Sequence, residues 1–341
     1  MPNLLNVTRK FVLIKNMDIK KAFYLFVTIG LLLFIYWNTE LFYSLIQISL
    51  FDLSVLFFFG LIAIYINSSQ FRYLAEVFGL RLKLKEWFGL AVANTMHNYY
   101  TPARGGTVLK AIYLKKSHKL AYSNFISLTA GTYLLGFFLA SASAILFILA
   151  SFLLYQEFYG TVFFISIGLG AATAIIGVFS LHVKFSSVFQ KIPKLHKFVR
   201  NVEKGLFFFK KNKKLLIKIL LFKFLFIVIM ALKLYWAFKA IGIETNLITI
   251  FIVQSLVVFS MILSLTPGNL GIREGIIGLL AAMLDIPLKK AILGAFVDRA
   301  VMMCIVIFLG LIFTRILAAD LEKRATSTEK DDTVQIENNL L

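Results

Sequence analysis

Twice in this chain a short polar phrase rich in helix breakers interrupts strongly apolar sequence. The first is Thr101-Pro102-Ala103-Arg104-Gly105-Gly106. The second is Thr266-Pro267-Gly268-Asn269-Leu270-Gly271-Ile272-Arg273-Glu274-Gly275. Each follows an apolar run, precedes another helical stretch, and combines proline, glycine and arginine. Irregular backbone at membrane depth is tolerated only where protein surrounds it or it lines a water-filled cavity. Two such interruptions in corresponding places point to a transporter-like site built from broken helices.

The membrane setting follows from composition. The chain is 60% hydrophobic, with 36 Phe against 17 acidic residues in 341. Apolar runs recur at 25–37, 125–154, 160–181 and 291–313. Runs near ~20 residues have the length of membrane spans, and soluble helices carry a polar face that these lack. The expected class is therefore an all-α polytopic membrane protein of six to eight spans. Two broken or re-entrant helix hairpins are expected within it, an arrangement that inverted repeats produce.

The net charge of +19 would suit nucleic acid, but its distribution argues against that reading. Residues 182–218 hold eleven Lys or Arg and a single acid, Glu203. Further positive charge lies in the N-terminal 21 residues and at Lys110, Lys115, Lys116 and Lys119, whereas 38–52, 155–159 and 242–246 carry only acids. This is the positive-inside pattern of an inner-membrane protein with both termini in the cytoplasm. Basic juxtamembrane segments also attract anionic lipid headgroups. The expected partners are thus membrane lipids with anionic headgroups, and no nucleic acid. The single Cys304 excludes an intrachain disulfide. The first apolar run lacks the small residues of a cleavage site and reads as an uncleaved span.

The charge rule arranges the chain as follows. A basic cytoplasmic start covers 1–21, and a transmembrane region covers 22–318. Spans are expected at 22–37, 50–68, 122–154, 159–181, 215–240 and 290–314. Segment 87–101 is short and basic on both flanks, so 87–101 and 107–120 form a hairpin tipped by Pro102–Gly106. The 182–214 loop mixes Lys with Phe and Leu and predicts an amphipathic helix on the membrane surface. Segment 247–265 is either a full span or the first arm of a second hairpin, opening on the opposite side. Residues 319–341 are polar and acidic and predict a disordered cytoplasmic tail.

The phrases carry chemistry. Pro102 stops one helix, Gly105 and Gly106 allow a turn, and a new helix presents unpaired N–H groups and its dipole's positive end. Arg104 adds a planar donor fork suited to phosphate, so the combination favours anions. Pro267, Gly268 and Gly271 repeat the break, with Arg273 and Glu274 opening the next helix. The alternative is that proline and glycine only kink two helices and that Arg273–Glu274 is a local ion pair. Asn94, His97, Asn98 and Thr101 share one helix face, either lining a polar path or bonding to a neighbouring helix. Lys223, near the cytoplasmic end of its span, is expected to snorkel; the deeper Lys233 either snorkels outward or faces an anionic headgroup inside the bundle. Asp298 and Arg299 are adjacent and point apart, so each is expected to find a partner on another helix; Glu274 is one candidate for Arg299. No catalytic constellation, cofactor motif, ATP site or metal-ligand spacing appears.

These phrases resemble the transmembrane region of the lysylphosphatidylglycerol synthases, a flippase-like family. Pro267-Gly268-Asn269-Leu270-Gly271-Ile272-Arg273-Glu274 matches its second signature, and Arg299 its last-span arginine. The first phrase departs: Gly106-Thr107 stand where an acidic residue often follows the glycine. The resemblance implies a lipid translocator over roughly 10–318. The chain stops after its last span, so aminoacylation of the lipid is not expected of it. Arg104, Arg273, Glu274, Asn94, His97, Asn98 and Arg299 are the expected substrate-binding set. Expected transport, of an anionic, aminoacylated or lipid-linked cargo, is passive or coupled to an ion or the membrane potential. The competing readings are a membrane-embedded transferase using Glu274, Asp298 or His97 as base, and a scaffold for a separate lipid-modifying enzyme.

Overall fold

In a computed structural model, residues 48–101, 104–182, 191, 193–263 and 266–340 are described. The expected first span at 22–37 and the residues Pro102 and Ala103 lie outside them. The described residues are helical throughout, without strands, and the protein is a polytopic all-α membrane protein. The helices are α1 (Leu50–Glu76), α2 (Leu84–Tyr100), α3 (Gly105–His118), α4 (Tyr122–Tyr155), α5 (Gly160–His182), α6 (Pro193–Lys211), α7 (Lys213–Ala240), α8 (Leu247–Val257), α9 (Ile272–Ala282) and α10 (Leu288–Leu340). Short 3-10 turns at Val258–Leu263 and Pro267–Asn269 join α8 to α9.

Five of these helices are long and apolar enough to cross a membrane: α1, α4, α5, α7 and the first part of α10. They are apolar nearly all round and leave large side chains such as Phe58, Leu153, Phe164 and Phe308 exposed. In hydrocarbon these side chains need no burial in protein. The bundle is instead closed by small residues. Gly60 on α1 sits where a Cβ would come within 2.5 Å of Ile305 on α10.

The two interrupted segments each form a pair of helices flanking a polar phrase. The start of α2 (Trp87, Leu90) and the end of α3 (Leu114) share one apolar cluster with Phe71, Phe125 and Leu317. That end of the bundle is the basic one. Ile250 of α8 and Ala281 of α9 share another cluster with Ile148, Val162, Phe238 and Ala291, at the acidic end. In each pair the ends of the two helices remote from the polar phrase share one apolar cluster.

Two expectations change. The tail expected to be disordered from 319 is helical, since α10 runs unbroken to Leu340. Ala318, Ala319, Leu321, Glu322, Lys323 and Arg324 are strong helix formers and propagate the last span. The boundary drawn at 318 also falls inside a packed segment. Asp320 pairs with Lys85, and its carboxylate accepts a 3.0 Å hydrogen bond from Tyr113. The amphipathic helix of the basic loop exists as α6, but its apolar face packs on the bundle. Val199, Val202, Leu206 and Phe209 are buried. Gly205 crosses α4 so closely that a Cβ there would stand 2.0 Å from the Ser127 carbonyl oxygen.

Candidate functional site

Between the two hinges lies a cavity of about 410 Å³. Its walls come from α1, α2, α3, α4, α7, α10 and both polar phrases, and much of the lining is apolar. Its charged lining is wholly cationic: Arg104, Lys110, Lys223, Arg273 and Arg299, with no carboxylate among the lining residues.

The first hinge is built by close backbone approach. Helix α2 ends at Tyr100, and Thr101 turns extended ahead of the proline while its hydroxyl donates to the His97 carbonyl at 2.6 Å. Arg104 takes the left-handed conformation (φ 57°) and opens α3, whose first turn receives no side-chain cap. Gly106 then lies against α2, where a Cβ would come within 2.1 Å of the Asn94 carbonyl oxygen. Only glycine lets the start of α3 sit this close. The Arg104 guanidinium lies 5.1 Å from the Tyr133 ring centre on α4, a cation–π distance.

The second hinge is locked by charge. Gly268 and Gly271 both take left-handed conformations (φ 59° and 80°), and Asn269 follows Gly268 at φ 62°. Asn269 donates from Nδ2 to the Ser260 carbonyl at 2.9 Å, which ties the phrase to the 3-10 turn before it. The Arg299 Nε and Nη1 atoms reach the Glu274 carboxylate at 3.0 and 3.1 Å, and Nη2 donates to the Gly268 carbonyl. Glu274 in turn accepts a 2.8 Å bond from the Gly271 N–H. Asp298 is held between Lys233 Nζ at 2.8 Å and Arg273 Nη2 at 3.0 Å. Glu274, Asp298, Lys233 and Arg299 are all buried. Buried ions persist only when paired and hydrogen-bonded, and this five-residue network meets that demand for both carboxylates.

Several expectations are decided here. Arg104, Asn94, Asn98, Arg273 and Arg299 come together at the cavity. His97 does not line it; its Nδ1 sits 2.7 Å from the Ala93 carbonyl on its own helix. Glu274 lies behind the wall and caps α9, so that helix's N-terminus is partly occupied by the protein's own carboxylate. Arg299 pairs with Glu274 as one candidate pairing had it. Arg273 pairs with Asp298 on α10 rather than with its neighbour Glu274.

Lys233 does not snorkel. Its side chain is fully buried and ends on Asp298, because α1 and α10 cover that face of α7. Lys223 also turns inward, to the cavity, and Gly136 on α4 makes the room: a Cβ there would stand 2.9 Å from Nζ.

Sequence reasoning passed over Lys110, Gln70, Gln254, Tyr99 and Tyr133, all of which line the cavity. Gln70 and Gln254 had a signal, since a buried amide inside an apolar run is costly unless it serves a site. Lys110 carried none beyond its part in the topology charge. No curated protein and no solved structure matches the chain. The family described as the lysylphosphatidylglycerol synthase TM region matches residues 22–310, spanning both hinges and the wall of the cavity. The chain belongs to that family.

Proposed function

We propose that this protein moves the headgroup of an anionic, aminoacylated or lipid-linked substrate across the inner membrane, through the cavity between its two hinges. In this reading α2–α3 and α8–α9 are re-entrant hairpins of opposite orientation. The basic end, which carries α6, faces the cytoplasm. One observation carries the reading: an interior cavity lined by five cations and otherwise largely apolar. Charged side chains at membrane depth are costly and mark ion or substrate paths. The uncapped start of α3 with Arg104 offers N–H donors and a fork to a phosphate. Family membership supports a role in lipid modification or transport.

The arrangement favours translocation over a transferase. Both candidate bases among the carboxylates, Glu274 and Asp298, are held in ion pairs, and His97 is not among the residues that line the cavity. The test is a headgroup-sidedness assay in proteoliposomes across a lipid panel, comparing the parent with Arg104→Ala. Accelerated exchange for at least one anionic lipid, lost in the variant, is the expected result. Exchange no faster than in protein-free liposomes for every lipid would overturn the proposal. Orientation is read separately: a cysteine replacing the exposed Lys197 of α6 reacts with an impermeant thiol reagent only in opened cells.

A further inference from the structure

The charges around the cavity do not cancel, and the excess says what kind of headgroup fits. We infer that the site takes a group bearing at least two negative charges, a phosphomonoester or diphosphate, in preference to a phosphodiester or an aminoacylated headgroup. This rests on the lipid reading above and narrows its substrate.

In the buried network, Lys233, Arg273 and Arg299 face only Glu274 and Asp298, which leaves one positive charge over. Lys110 and Lys223 add two more, and neither has a carboxylate within salt-bridge distance among the described residues. Lys110 lies instead over the Phe71 ring, 3.2 Å from its centre. Cations at this depth need counter-charge. A phosphodiester supplies one negative charge. A phosphomonoester supplies about 1.5 to 2 at neutral pH, and a diphosphate supplies more.

The same count argues against an aminoacylated headgroup, whose ammonium needs a carboxylate or a cluster of acceptors. Both carboxylates near the site are already engaged by Arg299, Lys233, Arg273 and the Gly271 N–H. The amides of Asn94, Asn98 and Gln254 have oxygens without partners among the described residues. They are neutral, however, and would leave the ammonium beside five like charges. Their oxygens suit hydroxyl donors such as those of glycerol or a sugar.

The chemistry is shared by a lipid and by soluble phosphates, so the experiment uses both. Purified full-length protein in uncharged detergent is titrated with short-chain phosphatidate, phosphatidylglycerol, lysylphosphatidylglycerol and inorganic pyrophosphate. Binding is followed by tryptophan fluorescence, and each lipid is also tested in competition with pyrophosphate. Phosphatidate is expected to bind at least about tenfold more tightly than phosphatidylglycerol, the worth of one further charge-assisted contact. Lysylphosphatidylglycerol is expected to bind weakest. In the Lys110→Gln/Lys223→Gln variant the preference for phosphatidate over phosphatidylglycerol is expected to fall to below about threefold, since two of the three excess charges are gone. Neither lysine is in an ion pair among the described residues, so the variant's melting temperature is expected to hold, which keeps a lost preference distinct from misfolding. Lysylphosphatidylglycerol binding as tightly as phosphatidate, or a preference unchanged in the double variant, would overturn the inference while leaving translocation open. Tight pyrophosphate binding that no lipid competes away would uphold the charge class and overturn the lipid reading.

Discussion

The two hinges look alike as strings of residues and differ as structures. At the second, the charges are spent on holding the protein together: Arg299 on Glu274 and the Gly268 carbonyl, Arg273 on Asp298. Glu274 also caps α9 from inside. At the first, α3 starts uncapped, its position is set by Gly106 packing on the Asn94 carbonyl, and Arg104 is laid on an aromatic ring at the cavity wall. A proline–glycine–arginine phrase can thus make either a fixed post or a donor surface. At the second hinge, α10 supplies both Asp298 for Arg273 and Arg299 for Glu274.

If that contrast holds, the largest effect belongs to the second hinge. Arg299→Ala strands the buried Glu274 carboxylate and the Gly268 carbonyl, and should cost about 3–5 kcal/mol as a broken buried pair. A drop in detergent melting temperature or loss of monodisperse protein reads it. Glu274→Gln should cost less, because the amide still accepts from Arg299. A stable, monodisperse Arg299→Ala protein would show that the post is not what holds α9.

Next comes Gly106→Ala, which places a methyl 2.1 Å from a backbone oxygen and forces α3 off α2. Overpacking of this kind costs about 1–3 kcal/mol, and the displacement should also reduce lipid exchange. Gly275→Ala, where nothing lies within 4 Å of the added methyl, is the control and should melt with the parent.

Arg104→Ala sharpens the comparison from the other side. Loss of its ring contact should cost only about 0.5–1 kcal/mol of stability, while lipid exchange falls steeply. Arg104→Lys should fall between, because a point charge replaces a fork. Equal loss of stability at Arg104 and Arg299 would erase the distinction between the hinges.

The smallest effect is expected outside both hinges. Truncation after Leu321 keeps Asp320 with its partners Lys85 and Tyr113 and should leave melting and exchange nearly unchanged. Asp320→Ala should lower the melting temperature more than the truncation does, by releasing Lys85 and Tyr113 at the basic end.

Much of the architecture was legible in the residues. Spans at 50–68, 122–154, 159–181 and 215–240 became helices because hydropathy over ~20 residues is a local property with a direct physical meaning in a bilayer. The α1 helix ran eight residues past its expected end, through Ser68, Ser69 and Gln70, because those polar residues are buried against the bundle rather than leaving it. The hinges were legible too, since proline and left-handed glycine act on their own backbone. The charged partners were not. Lys223 and Lys233 looked alike, two cations in one apolar run. One ends on Asp298 and the other at the cavity, because Gly60 and Gly136 come from different helices and clear different spaces around α7. His97 shared a predicted face with Asn94 and Asn98, yet bonds to its own helix at the Ala93 carbonyl.

The sequence by itself therefore determined the class, the spans and the places where helices break, because each depends on a few consecutive residues. Tertiary structure decided which cations are neutralised and which face the cavity. Ion pairing at membrane depth depends on which helices meet, and Lys233, Asp298 and Arg273 meet across 65 and 25 positions of chain. The cavity's cationic lining exists only in the assembled bundle.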